Sequence, residues 1–163
     1  MKKLIIAAGI AAAVASFGAS AKVYTSYASV NTTVTGDSGF QINATNGKDV
    51  DVNGFKASGA DLGTFVVKAP VSATAFSLSD IHAHGYPQNY VVKIAATGAT
   101  GTCVATVDAT GLAVLEGEEV TNCPITAFTS DSVTLKATNN ALFENDVTPG
   151  TKTLTVKFTS EVN

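Results

Sequence analysis

Three residues near the middle of the chain have side chains that could ligate a metal: Asp80, His82 and His84. On a strand, side chains two apart leave on the same face, so the two imidazoles could share zinc or copper with Asp80 as the only local third ligand. The same pair could respond to acid. Gly85-Tyr86-Pro87 follows directly and marks a loop, where histidines are ordinarily solvated or packed. Glu116, Glu118 and Glu119 around Gly117 have the look of a paired-carboxylate site. They lack an aromatic or basic neighbour to split their pKa values into an acid and a base, so a solvated loop is expected there. No Gly-X-Ser-X-Gly elbow and no phosphate loop occurs among the many serines and threonines. The chain is therefore expected not to be an enzyme and to carry no cofactor.

Cys103 and Cys123 are the two cysteines. Met1 to Ala21 reads as a secretory leader: Lys2 and Lys3, an apolar run from Leu4 to Phe17, then Ala19-Ser20-Ala21 as a small-residue cleavage site. The apolar run is short of the roughly 20 residues that cross a bilayer. In an oxidising compartment the two cysteines are expected to pair, closing a loop that contributes on the order of 3 kcal/mol in the chain-entropy model. The mature chain would begin at Lys22 and form one domain. Charged residues are 14% of the chain and the net charge is −3, which leaves no basic patch for nucleic acid or an anionic membrane.

The elements that must position these side chains are strands. In the last stretch, Leu154, Val156, Phe158 and Val162 alternate with Thr151, Thr153, Thr155, Lys157, Thr159 and Glu161, a two-residue period with one dry and one wet face. Tyr24, Ala28, Val30 and Val34 alternate in the same way with Thr25, Ser29, Asn31, Thr33 and Thr35. Gly36-Asp37-Ser38-Gly39 sets that opening stretch apart from the rest. Between the two ends, short strands are expected around 40–46, at Val50, Val52 and Phe55, and over 62–69, 73–78, 90–96, 103–107, 112–115, 125–128 and 133–137. Asp80 to Asn89 is the least strand-like part, Pro124 ends the cysteine-bearing hairpin, and only Asn139 to Glu144 suggests a helical turn. Turn signals every ten or so residues make this an all-β antiparallel sandwich.

With its secretory leader, its Thr-rich alternating start from Tyr24 to Val34, and the close Thr148-Pro149-Gly150-Thr151-Lys152-Thr153-Leu154-Thr155-Val156-Lys157-Phe158, the chain resembles the major subunits of chaperone–usher fimbriae and their F1-capsule-like relatives. The likeness covers both ends and the overall size. It implies an immunoglobulin-like sandwich lacking its last strand, completed by a donor strand from a neighbouring subunit. Residues 1–21 would be the signal peptide, 22–36 the N-terminal donor extension and 37–163 the sandwich. Ala28, Val30, Thr32 and Val34 would enter a neighbour's groove, and Leu154, Val156 and Phe158 would line this subunit's own acceptor groove. The implied partners are copies of itself in a head-to-tail polymer, a periplasmic chaperone, an outer-membrane usher and a surface receptor. The implied location is the periplasm in transit, then an extracellular fibre. Two other outcomes are open: a biofilm-matrix fibre protein assembled by a strand swap, and a monomeric secreted domain whose opening strand folds back in its own sheet, with a weak metal site at His82 and His84.

Overall fold

Alternation in sequence becomes alternation in burial wherever a strand forms. The computed structural model describes residues 28–31, 40–69, 73–117 and 121–160. The leader, Thr32, Val34, Glu118 and Glu119 lie outside the described residues. In chain order the elements are β1 (Ala28–Asn31), β2 (Gln41–Asn46), α1 (Val52–Lys56), β3 (Asp61–Lys68), β4 (Ala75–His84) and β5 (Val91–Thr97). They continue as β6 (Thr102–Val107), β7 (Leu112–Leu115), β8 (Cys123–Thr126), β9 (Val133–Asn139) and β10 (Lys152–Thr159). The fold is all-β, with one five-residue helix among the described residues.

The strands form one sheet in the order β1-β10-β4-β7-β6-β5-β9-β3-β2, with β8 paired off this path to β4. All named pairings are antiparallel except β1 with β10, which is parallel. The sheet curls so far that β1, at one end of the order, also lies beside β2 and β3 at the other. Inside the curl, Phe65, Val67, Leu78, Ile81, Val92, Ile94, Ile125, Leu135 and Leu154 are buried and form one core. Cys103 and Cys123 are joined, which ties β6 to β8 across 20 residues of chain. That tether matters because β8 is short and, among the described residues, has β4 as its one strand partner, over Ala75–Leu78.

Four local expectations give way to the structure. Val52 to Phe55 is helical, because the Asp51 side chain caps the turn by accepting from the Gly54 amide at 2.7 Å. Asn139 to Glu144 forms no helix: β9 runs through Asn139, whose buried side-chain amide donates to the Lys56 and Ala57 carbonyls that end α1. Pro124 lies within β8, which tolerates it as a short edge strand whose pairing beyond β4, among the described residues, is the isolated bridge of Thr126 with Thr100. The stretch after Ser79 continues β4 to His84 through a bulge at Asp80, where the register against β10 slips and φ is +44°. One extra residue shifts the phase, so Phe76 and Leu78 point inward before the bulge and Ile81 and Ala83 after it.

Candidate functional site

The part of the sheet with unfinished pairing is the outer edge of β10. On its inner edge β10 pairs with β4 from Thr153 against His84 to Thr159 against Ser77. On its outer edge β1 covers only the first half: Ala28, Ser29, Val30 and Asn31 align with Lys152, Thr153, Leu154 and Thr155. Val156, Lys157, Phe158 and Thr159 have no strand partner on that side among the described residues. Facing it across the curl, β2 has β3 as its one strand partner in the ladder among the described residues, so no described strand pairs along its outer edge. A seam therefore runs between β10 and β2, and β1 fills one half of it.

The side chains beneath the seam change along its length. Under the covered half, Lys152 and Leu154 are buried, and Val156, the first inward residue beyond it, is buried as well. At the uncovered half, Phe158 is only half-buried and meets Phe65 at 5.5 Å and Phe76 at 6.1 Å between ring centroids. Phe76 in turn touches Phe40 edge-on and Phe128 at 5.5 Å. Five phenylalanines thus gather where the strand cover ends, each packing in the offset or edge geometry that aromatic rings prefer. A cleft of about 500 Å³ opens beside them, lined by Lys68, Ala69, Ala73 and residues 128–131.

The expected groove residues Leu154, Val156 and Phe158 are thereby brought together on one face, and the expected donor residues Ala28 and Val30 lie against the same strand. They do so within one molecule. The opening strand, for which a place in its own sheet and a place in a neighbour's both stood open, sits in cis.

The metal-ligating trio is not assembled. The Asp80 carboxylate takes the Lys157 ammonium at 3.0 Å at the bulge, while His82 and His84 are exposed on the outer face opposite Thr155 and Thr153. Among the described residues no group of three or more His, Cys, Asp or Glu side chains is placed to hold a metal ion. Glu116 is exposed and accepts from the Thr106 hydroxyl at 3.4 Å.

Two buried polar groups at the other end of β10 escape a reading by residue type. Lys152 is 3% exposed and its ammonium donates to the Thr148 carbonyl at 2.6 Å; burial pulls its pKa below the usual lysine value. Tyr86 is 7% exposed, and its hydroxyl has no hydrogen-bond partner among the described residues. Its ring packs with Phe55 and Tyr90, and the Tyr90 hydroxyl donates to the Phe55 carbonyl at 2.8 Å. Burial pushes both phenol pKa values up, Tyr90 further through the neighbouring Tyr86. The signal for Lys152 was present in the sequence, since it falls on the even, inward phase of Leu154, Val156 and Phe158.

No protein-family model matches this chain, and no curated protein matches it in sequence.

Proposed function

We propose that this chain is a secreted structural subunit with an immunoglobulin-like sandwich, which builds a surface fibre by giving its opening strand to a neighbouring copy. The observation that carries the reading is the mismatch between β1 and the edge it covers. Over its described residues β1 pairs through four positions and runs parallel, while β10 offers eight residues of edge. Parallel pairing is slightly weaker per residue than antiparallel. An antiparallel strand from a neighbour can follow the whole of β10 and cover the phenylalanines that β1 leaves half-open. Exposed strand edges recruit such partners.

The strand order supports the sandwich. With β2, β3, β4, β5, β9 and β10 taken as A to F, the run β2-β3-β9-β5 has the same order as the A-B-E-D sheet of an immunoglobulin fold, and β10 beside β4 the same order as F beside C. β1 then occupies the position that strand G has beside F, but runs parallel where G runs antiparallel. In this reading β7 and β6 are additions that continue the sheet between β4 and β5, and β8 is an addition beside β4. The further partners, a periplasmic chaperone, an outer-membrane usher and a surface receptor, rest on the family resemblance of the two chain ends.

The cis placement also favours the rival reading, a closed secreted monomer. The purified mature protein separates the two. If it forms filaments by electron microscopy, and removal of residues 22–35 abolishes them while a peptide of that sequence restores a folded monomer, strand exchange stands. A chain that stays monomeric at high concentration, with the amides of β1 protected from hydrogen exchange, is a closed domain and the fibre proposal fails.

A further inference from the structure

The end of the molecule away from the phenylalanine cluster holds a second cleft, of about 400 Å³, between Gly85-Tyr86-Pro87 on one side and Asp146 and residues 148–152 on the other. Its lining includes Tyr86 and Lys152, the two buried residues whose polar heads are short of partners among the described residues. An ammonium has three donors, and that of Lys152 uses one acceptor among the described residues, the Thr148 carbonyl. The Tyr86 hydroxyl uses none. Asp146 also lines the cleft, is exposed, and makes no ion pair with Lys152 among the described residues. A buried charge and a buried hydroxyl left short of partners are costly, and the fold retains both beside one opening.

We infer that this cleft is a carboxylate-binding site, in which one carboxylate oxygen accepts from the Lys152 ammonium and the other from the Tyr86 hydroxyl. A carboxylate has the two acceptor oxygens such a pair requires, and its bond to an ammonium is of the charge-assisted kind. Lys152 is held in place by the Thr148 carbonyl, so its head is pre-positioned. Substitution of Gly85 would narrow the opening, because a Cβ there would stand 2.9 Å from the Thr151 carbonyl oxygen and 3.5 Å from the Lys152 side chain. The site does not depend on strand exchange, since it lies on a single molecule. The carboxylate has two sources, a free small acid or an acidic group on another copy of this chain.

The test is an NMR titration of the full mature chain with sodium acetate, at ionic strength held constant with sodium chloride. Saturable shifts are expected at the amides of Gly85, Tyr86, Gly150, Thr151 and Lys152. Lys152→Met, which keeps the buried stem, should abolish saturation; Lys152→Arg should retain it. Tyr86→Phe should weaken binding by about three- to tenfold, the loss of one hydrogen bond to a charged partner. If acetate also dissociates whatever oligomers the chain forms, the natural carboxylate belongs to another copy; if oligomers are untouched, it belongs to a free acid. Shifts that are linear in acetate, equal in the Lys152→Met variant, or spread over exposed lysines such as Lys136 overturn the proposal. A filament-forming protein with no saturable acetate shift would refute this site and leave strand exchange intact.

Discussion

Locking β1 in its own sheet should stop assembly, and the size of the effect follows from the pairing. Ser29 and Thr153 are Cα partners in the parallel register. Adjacent strands lie about 4.8 Å apart, within the span a disulfide bridges, so Ser29→Cys with Thr153→Cys can close a covalent lock. Without the lock, four paired residues at about 1 kcal/mol net per backbone hydrogen bond hold β1 by on the order of 4 kcal/mol. At about 1.4 kcal/mol per decade, roughly one molecule in a thousand then has β1 released at any moment. If exchange proceeds through that open form, the locked chain has no route to it and should form no polymer on the time course of a light-scattering assay, whereas the unlocked chain assembles at about a thousandth of the rate of a chain with β1 fully released. Mild dithiothreitol should restore the unlocked rate. The native Cys103 and Cys123 are 2% and 8% exposed and should survive that treatment, which mass spectrometry checks. The same arithmetic gives a graded version: substitutions in β1 that weaken cis pairing by about 1.4 kcal/mol should raise the initial rate about tenfold. A locked protein that assembles at the unlocked rate would refute the reasoning, because β1 would then have no need to leave.

Three further outcomes follow from the buried aromatics and the backbone. Tyr90→Phe should lower stability by about 1–3 kcal/mol in urea unfolding, since it strands the buried Phe55 carbonyl, whereas Tyr86→Phe, which removes a hydroxyl without a partner, should be neutral or stabilising. The folded-state phenol pKa values of Tyr86 and Tyr90 are raised above 10.0, so their contribution is complete below pH 10 and is lost as pH rises through the folded values. Thermal melts should therefore fall steeply above pH 10, less so in Tyr86→Phe, even though the lowered pKa of Lys152 acts in the opposite direction and relieves its own burial cost as pH rises. Ala127 has φ +53°, a conformation glycine adopts without strain, so Ala127→Gly should stabilise by about 0.5–1 kcal/mol, read as a higher urea midpoint at unchanged slope.

Where the period of two runs unbroken, the sequence was easy to read. β9 and β10 were legible because nothing interrupts their phase, and the β6–β7 hairpin because Asp108 to Gly111 is a turn in sequence and in structure alike. β4 was not, because the bulge at Asp80 places Leu78 and Ile81, three residues apart, on the same inner side, and a strict two-residue pattern reads that as the end of a strand. α1 is too short for a helical period, and its one signal, Asp51 three residues before Gly54, sits beside an Asn-Gly pair that reads as a turn. The polarity of β1 against β10 has no local signature at all, because it is settled by which edge remains when the sheet has curled. Lys152 makes the opposite point. Its type says water, its place in the alternation says core, and the structure follows the place, since moving one residue of β10 outward would move Leu154 and Val156 with it. The cost of holding one lysine under the sheet is smaller than the cost of turning out a row of apolar side chains, and that surplus is what leaves a charged group at the floor of a cleft.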